Sequence, residues 1–250
     1  MTAEDLRGRR ALVTGGGSGI GRAVAARLAA AGATVAVVDR DAAAAEHVAA
    51  EVGGTAVAVD LTDLAAVDAL DLDVDVLVNN AGFQHVAALQ EFPTDVFSTM
   101  LRLMVEAPFR LVRGTLPHMY ARGWGRVVNI SSVHGHRASP YKSAYVTAKH
   151  ALEGLSKVVA LEGAAHGVTS NCVAPAYVRT PLVEGQIAAQ ARTHGISEDQ
   201  VVEQVMLAPA AVKRLMEPAE VADAVAWLCS PSAASVTGTS LRMDGGWTAH

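Results

Sequence analysis

The sequence predicts one α/β domain organised around a parallel sheet. Three observations predict this class: short apolar strand patterns alternate with helix patterns through the 250 residues, no linker interrupts the alternation, and a glycine-rich turn joins the first strand pattern to the first helix pattern. In open sheets of this kind ligands bind beyond the carboxyl ends of the strands. The residues that follow each strand are therefore the first candidates for function.

The composition is that of a globular chain without bulk positive charge for nucleic acid. Hydrophobic residues make up 51%, charged residues 18%, and the formal net charge is −5. The stretch from Met1 to Arg10 is polar and no apolar run approaches the length of a spanning helix, so we expect a cytoplasmic protein without membrane segments. Cys172 and Cys229 lie in apolar runs without metal-ligand spacing, which predicts two buried thiols and no metal site.

A glycine-rich turn follows the first strand pattern, Ala11 to Val13. The turn runs from Thr14 to Gly21 and leads into a helix pattern from Arg22 to Ala31. Glycines let a pyrophosphate approach the backbone, and the N–H groups at the helix start favour its negative charge. This context predicts a dinucleotide site with contacts from Gly15, Ser18, Gly19, Ile20 and Gly21.

An acidic residue ends the second strand pattern, Thr34 to Val38. Asp39 can accept hydrogen bonds from the hydroxyls of an adenosine ribose and repels a 2′-phosphate, which predicts NAD as the cofactor. Arg40 favours the alternative, NADP, because a guanidinium can pair with that phosphate. No basic residue stands inside the glycine turn to assist Arg40, so the sequence favours NAD.

Polar residues also follow the next two strand patterns. Thr55 to Val59 is followed by Asp60 and Leu61, and Val74 to Val78 by Asn79-Asn80-Ala81-Gly82. The carboxyl ends of parallel strands lie along one edge of a sheet, so we expect cofactor contacts from Asp60, Leu61, Asn80, Ala81 and Gly82. The alternative is that the Asp and Asn side chains only cap helices or turns.

A serine, a tyrosine and a lysine form a candidate hydride-transfer site. The strand pattern Arg126 to Ile130 ends at Ser132, and a helix pattern beginning near Ser143 places Tyr145 and Lys149 four residues apart on one face. An ammonium beside a phenol favours the phenolate, so we expect Lys149 to lower the pKa of Tyr145 toward neutral pH. Ser132 can donate a hydrogen bond to the substrate oxygen. Taken alone, the pair would mark only an amphipathic helix face.

The rest of the chain completes the alternation and adds an excursion. An irregular, helix-rich stretch over about residues 181–216 follows the sixth strand pattern and predicts a lid over the substrate. Before it come a long helix pattern that contains Pro108, Thr94 to Tyr120, and the sixth strand pattern, Val168 to Ala174. After it come a last helix pattern, Glu217 to Leu228, and a last strand pattern, Ser240 to Met243.

Together these motifs resemble the short-chain dehydrogenase/reductase family along essentially the whole chain. The turn from Thr14 to Gly21 is similar to the family's cofactor turn, and Asn79 to Gly82 to its structural NNAG segment. The resemblance implies a doubly wound (Rossmann-type) sheet of about seven parallel strands with helices on both faces, and usually a homotetramer. It implies catalysis by Ser132, Tyr145 and Lys149, and further cofactor contacts from Tyr145, Lys149, Pro175, Val178 and Thr180.

Within the family, several segments resemble the members that interconvert short 3-hydroxy acids and their ketones with NAD. These are Gly82 to Val86, Ser131 to Gly135, Lys142 and Thr180 to Ile187. The resemblance implies substrate contacts from Ser132 and Tyr145 and a carboxylate site formed by Gln84, His134, Lys142 and Gln186. Amides, an imidazole and an ammonium can surround a small carboxylate with donors. Alternatively, these are surface residues, and His134 satisfies a loop carbonyl.

Two positions depart from the family pattern. Tyr177 stands where that subgroup has a tryptophan, so the pocket wall changes and a larger secondary alcohol or ketone is an alternative substrate. Met104 stands where the resemblance implies a catalytic asparagine, so a catalytically weakened cofactor-binding relative is a second alternative. The resemblance implies that this asparagine helps to hold a water molecule that links the catalytic lysine to solvent. Pro108 has no N–H to bond the Met104 carbonyl, and we hypothesise that this carbonyl instead holds that water beside Lys149.

Overall fold

A parallel sheet forms the centre of the computed structural model, which describes residues 5–249 apart from the side chains of residues 189, 190 and 192–194. Residues 1–4 of the polar N-terminal stretch and residue 250 lie outside this range. The strands are β1 Arg10–Thr14, β2 Thr34–Asp39, β3 Thr55–Ala58, β4 Val76–Asn79, β5 Gly125–Ile130, β6 Val168–Pro175 and β7 Ser240–Met243. They pair in parallel in the order β3-β2-β1-β4-β5-β6-β7.

Helices cover both faces of this sheet, which confirms the predicted doubly wound α/β class. The strand order reverses at β1, so the chain winds first to one side of it and then to the other. The helices are α1 Gly19–Ala30, α2 Ala42–Val52, α3 Leu64–Asp68, α4 Thr94–Leu101, α5 Ala107–Arg122, α6 Ser143–Gly163, α7 Pro181–His194, α8 Glu198–Gln200 and α9 Pro218–Cys229.

The core consists of two apolar layers separated by the sheet. Val13 of β1 packs in the layer that contains Val24 of α1, whereas the adjacent Leu12 packs in the layer that contains Leu111 of α5. Successive side chains of a strand point to opposite faces, so a strand buried on both faces reads as an unbroken apolar run. This is why the central strands were identifiable from their sequence. Both cysteines are free and buried, as expected.

The long helix pattern from Thr94 to Tyr120 is not one regular helix. α4 ends at Leu101, a π-helical turn spans Arg102–Glu106, and α5 begins at Ala107. Pro108 occupies the start of α5, where its missing N–H disrupts the regular ladder least. The irregular turn contains Met104 and ends two residues before Pro108, so the helix pattern is interrupted at the place where the proline was expected to disturb it.

The excursion after β6 contains α7, α8 and a π-helical turn at Val201–Met206. It packs around its own small apolar cluster, which includes Val183, Ile187 and Leu215. That this segment closes over a substrate stays a prediction. Within residues 5–249, no helix combines the length and apolar composition that crossing a bilayer requires.

A buried carboxylate organises the amino ends of the central strands. Asp75, which precedes β4, is 2% exposed. Its oxygens accept hydrogen bonds from the backbone N–H of Arg10 at 2.9 Å and from the guanidinium groups of Arg9 at 3.2 Å and Arg122 at 3.3 Å. A buried charge that loses its partners is costly, so this cluster ties β1 and β4 to α5.

We expect Asp75→Ala to lower the free energy of unfolding by about 3 kcal/mol, because two guanidinium groups and a backbone N–H lose their acceptor. Urea unfolding followed by circular dichroism measures the loss. Asp73→Ala is the matched control, since the Asp73 side chain is 72% exposed and should change stability little. Equal effects of the two substitutions would contradict the assignment.

Candidate active site

A cavity of about 680 Å³ lies along the carboxyl ends of the strands. It extends from the turn between β1 and α1 to the ends of β5 and β6. Every predicted cofactor and substrate residue except Gly21 lines it: Gly15, Ser18, Gly19, Ile20, Asp39, Asp60, Leu61, Asn80, Ala81, Gly82, Gln84, Ser132, His134, Lys142, Tyr145, Lys149, Pro175, Tyr177, Val178, Thr180 and Gln186. The fold thus brings together residues that are distant in the sequence.

The glycine turn has the conformation expected of a pyrophosphate cradle. Gly15 and Gly19 have φ angles of +62° and +53°, which a side chain would strain. Ser18 is the N-cap of α1 but makes no side-chain cap hydrogen bond, so its hydroxyl does not occupy the N–H groups of the first turn and leaves them available to an anion. The residues present therefore fit a dinucleotide.

Gly21 contributes packing, since it does not line the cavity. A Cβ there would lie 2.1 Å from the Gly15 carbonyl oxygen and 2.6 Å from Nδ2 of Asn80. That amide in turn donates to the carbonyl oxygens of Thr14 at 2.9 Å and Gly15 at 3.1 Å. Asn80 thus braces the glycine turn against the end of β4, a structural role beside its predicted cofactor contact.

Acidic side chains line the cavity at the ends of β2 and β3. Asp39 accepts hydrogen bonds from the backbone N–H of Gly17 at 3.0 Å and of Asp41 at 3.1 Å, which hold its carboxylate against the glycine turn. Arg40 lines the same end of the cavity. Asp60 accepts from the N–H and hydroxyl of Thr62, and these bonds lower the pKa of its carboxyl.

The Ser132, Tyr145 and Lys149 side chains meet as predicted. Lys149 is 4% exposed, and its Nζ lies 5.4 Å from the centroid of the Tyr145 ring and donates to the Ile130 carbonyl at 2.7 Å. Ser132 hydrogen-bonds Tyr145, and its Oγ accepts from the N–H of His134 at 3.2 Å. The serine hydroxyl is thereby oriented toward the phenol.

The effect of Lys149 on Tyr145 differs from the expectation. Burial raises the pKa of Tyr145, and the Ser132 hydrogen bond offsets this only in part. Burial also lowers the pKa of Lys149 to about 8, and the charge of Glu153 offsets this only in part. The prediction that Lys149 would bring the tyrosine pKa down is wrong for the net shift, because desolvation of the phenol is the largest cause and the lowering comes from the Ser132 hydrogen bond.

His134 and Lys142 form a polar part of the cavity wall. Nζ of Lys142 lies 3.2 Å from Nε2 of His134, and Nδ1 of His134 lies 3.4 Å from the Arg137 carbonyl oxygen. Burial, reinforced by the charge of Lys142, lowers the pKa of His134 to about 4. The imidazole is therefore neutral near pH 7, with Nδ1 donating to the carbonyl and Nε2 accepting from the ammonium.

The two predicted glutamines pair across the cavity. Nε2 of Gln186, on α7, donates to Oε1 of Gln84 at 3.2 Å. Nε2 of Gln84 is buried and has no hydrogen-bond partner in the described part of the structure. A buried amide N–H in this state is costly, so it is a ready donor to an anionic ligand.

Trp247 is a lining residue that the sequence did not reveal. Its ring stacks on Tyr177 with centroids 6.0 Å apart and meets His134 edge-on at 5.8 Å. The backbone N–H of Trp247 donates to the Asp244 carbonyl at 3.1 Å, which fixes the turn after β7. Its position directly after the last strand, at the ligand edge of the sheet, was the available signal.

Known proteins resemble this chain over nearly its whole length. The model of the short chain dehydrogenase family matches residues 9–191. The chain belongs to this family. It is 43% identical to the D-beta-hydroxybutyrate dehydrogenase of Rhizobium meliloti (strain 1021), covering 97% of this chain and 99% of that protein. It is 40% identical to the enzyme of the same name from Cupriavidus necator, covering 98% of this chain and 100% of that protein.

A solved structure from Agrobacterium tumefaciens that contains bound NADP has the same fold. It is 33% identical to this chain, covers 100% of both chains and has a TM-score of 0.88. The present chain is therefore an oxidoreductase of the short-chain dehydrogenase family with a Rossmann-type fold. The comparisons include a relative with NADP, so the choice between NAD and NADP rests on the residues of this chain.

Met104 gives this short-chain dehydrogenase an apolar surface beside the catalytic helix. Its side chain is 1% exposed, packs with Ala144 and Ala148 of α6, and lies close enough to Gly82 that a Cβ there would be 3.0 Å from the Met104 Sδ. The π-helical turn at this position agrees with a disturbed helical ladder before Pro108. That the Met104 carbonyl holds a relay water stays a prediction.

We expect the NMR signals of His134 to stay constant from pH 8 to pH 5 and to shift only near pH 4, because burial and the Lys142 ammonium disfavour its protonation. His134→Gln assigns the signals. As pH decreases, His134 of the unfolded chain is protonated near its ordinary pKa of about 6.5, whereas His134 of the folded chain is protonated only near 4. The free energy of unfolding therefore falls between about pH 6.5 and pH 4, and His134→Gln should flatten that slope. A titration midpoint near 6.5 would contradict a buried neutral imidazole.

Proposed function

We propose that this enzyme is an NAD-dependent dehydrogenase of a short 3-hydroxy acid, interconverting 3-hydroxybutyrate and its ketone or a close analogue. The observation that carries the proposal is a set of donors in the same cavity as Tyr145: the Lys142 ammonium held by neutral His134, and the unpartnered Nε2 of Gln84. Such donors match a small carboxylate. The similarity to two hydroxybutyrate dehydrogenases supports the same substrate class.

The residues have separate tasks in this reaction. A nicotinamide cofactor, which the glycine turn and Asp39 would hold, would supply the acceptor for the hydride and its two electrons. In oxidation, Tyr145 takes the proton of the substrate hydroxyl, and Ser132 donates a hydrogen bond to the substrate oxygen. Oxidation needs the phenolate, so the raised pKa of Tyr145 favours ketone reduction at low pH and alcohol oxidation at higher pH. Lys142 with the Gln84 amide orients the carboxylate.

The cofactor proposal rests on the Asp39 carboxylate, which the N–H groups of Gly17 and Asp41 hold at the glycine turn. In Asp39→Ala both the ribose hydrogen bonds and the repulsion of a 2′-phosphate are lost. We expect the ratio of kcat/KM for NAD to that for NADP to fall by about tenfold or more. Steady-state kinetics with both cofactors measures the ratio, and Asp41→Ala is the control. Equal efficiency of the wild type with NAD and NADP would refute the proposal.

The substrate proposal is tested with Lys142→Met, which removes the charge and retains much of the side-chain length. We expect KM for 3-hydroxybutyrate to rise about 10- to 100-fold, because the carboxylate loses a charge-assisted hydrogen bond. Oxidation of butan-2-ol, which has no carboxylate, is the matched control substrate and should change little. Parallel losses on both substrates would show that Lys142 supports the fold or the chemistry instead.

A second candidate substrate class is a larger secondary alcohol or ketone. A neighbouring cavity of about 220 Å³ shares Tyr177 and Trp247 with the main cavity and is otherwise lined mainly by apolar side chains such as Met206, Leu207 and Met216. The stacked pair separates the two spaces, and its rearrangement would admit a longer chain. Faster oxidation of 3-hydroxyoctanoate than of 3-hydroxybutyrate would favour this class.

The predicted homotetramer and the cytoplasmic location stay proposals. Apolar side chains exposed on α5 and α6 support association of copies: Phe109 is 50% exposed, Val158 51% and Leu161 82%. Exposed large apolar side chains on neighbouring helices are typical of an interface. The predicted partners are otherwise only the small substrate and the cofactor, with no nucleic acid.

A further inference from the structure

Oxidation of an alcohol by this site releases a proton that must leave a buried position. Tyr145 takes the hydroxyl proton, and Lys149, the cation beside it, is 4% exposed. On the side of α4 and α5, the apolar Met104 packs against the same helix. The next turn of α6 has its polar contacts on the other side of the helix. There Glu153 faces the end of β5, β6 and β7.

A second carboxylate lies one helical turn beyond Lys149. Glu153 is 6% exposed, and its Oε1 accepts a hydrogen bond from the Ser240 hydroxyl of β7 at 2.9 Å. Nε2 of His136 lies 2.8 Å from that hydroxyl and 3.4 Å from Oε1 of Glu153. The His136 side chain is 29% exposed, so this three-residue chain connects the interior with solvent.

Ser131 lies between Lys149 and this chain in the structure, next to the residue that Lys149 contacts and close to Glu153 across Gly135. Lys149 donates to the carbonyl of Ile130, the residue directly before Ser131. Oγ of Ser131 is buried and has no hydrogen-bond partner among the described residues. A Cβ on Gly135 would lie 2.6 Å from this oxygen and 3.1 Å from Oε1 of Glu153, so glycine leaves the space between the two oxygens open.

The charged and titratable groups around Glu153 suit proton transfer. Lys149 precedes it on α6, His136 faces it from the turn after β5, and Cys172 faces it from β6. Burial raises the pKa of the Cys172 thiol, so the thiol stays neutral. The charge of Glu153 supports the ammonium of Lys149, whose pKa of about 8 lies in the range where it can exchange a proton with a neighbour.

We propose that Ser131, Glu153, Ser240 and His136 form a proton path that connects Lys149 with solvent. The inference rests on the proposed dehydrogenase function. In oxidation the hydride and its two electrons go to the nicotinamide cofactor, and one proton passes from Tyr145 and Lys149 along Ser131, Glu153 and Ser240 to His136 and then to buffer. In reduction the same proton enters in reverse. None of the four residues touches the reacting carbon, so they are positioning residues that act through Lys149.

The test compares Glu153→Gln with Glu162→Gln, an exposed substitution on the same helix. Both are measured in the full chain by steady-state alcohol oxidation from pH 6 to 9 at low buffer concentration. We expect Glu153→Gln to lower kcat at least about tenfold with KM little changed, and Glu162→Gln to leave both unchanged. Unchanged kcat in Glu153→Gln would overturn the path.

His136→Ala keeps the proposal testable if the buried substitution disturbs folding, because His136 lies at the surface. We expect a loss of kcat that added imidazole restores, since a small base can replace the missing side chain as proton acceptor. A loss without imidazole rescue would indicate a merely structural role and overturn the proposal. Pro108→Ala distinguishes this path from proton exit through a water at the Met104 carbonyl. Exit at Met104 would make kcat sensitive to Pro108→Ala and insensitive to the loss of His136.

The ratio of kcat in each variant to kcat in the wild type is measured with one alcohol. That alcohol is the one that the wild type oxidises fastest among 3-hydroxybutyrate, 3-hydroxyoctanoate and butan-2-ol. The wild-type rates on this panel test the proposed substrate, whereas the ratios test the path. A different preferred substrate would therefore refute the substrate proposal and leave the path to be judged by its own variants.

Discussion

The buried hydrogen bond from Lys149 to the Ile130 carbonyl is the interaction on which the site depends. It joins α6 to the end of β5 and thereby sets the tyrosine one turn earlier beside Ser132. A hydrogen bond to a charged group contributes about 1.5–3 kcal/mol, which offsets part of the cost of burying an ammonium. The cost that remains is visible in the lowered pKa of about 8, and it leaves this cation able to exchange protons near neutral pH.

The substrate region follows the same principle of one charge supported by neutral partners. Two cations buried 3.2 Å apart would repel each other strongly, so the His134 imidazole remains neutral and serves as acceptor for the Lys142 ammonium. The positive charge of Lys142 is then available to the proposed carboxylate. The stacked rings of Tyr177 and Trp247 form one wall of this region, and a less polar wall strengthens the interaction of that charge with an anion.

Stability and function are separated at opposite edges of the sheet. At the amino ends of the strands, the Asp75 carboxylate has guanidinium and backbone partners that satisfy it. At the carboxyl ends, donors such as the Gln84 amide are left without partners in the described part of the structure. A buried polar group without a partner costs free energy, and the Gln84 amide lies in the cavity, where a ligand could satisfy it.

The sequence by itself determined the fold class and most of the residues that line the cavity. The central strands are buried on both faces and therefore read as unbroken apolar runs. Each predicted strand agrees with the observed one within a residue or two, and polar residues at strand ends had to meet at one edge. Local spacing also sufficed for the pairing of Tyr145 with Lys149. Only the tertiary structure decided the direction of the Tyr145 pKa shift, the neutral state of His134, the place of Trp247 in the cavity wall and the contact of Glu153 with β7. Desolvation and long-range contacts arise when elements pack together, and no local pattern in the chain encodes them.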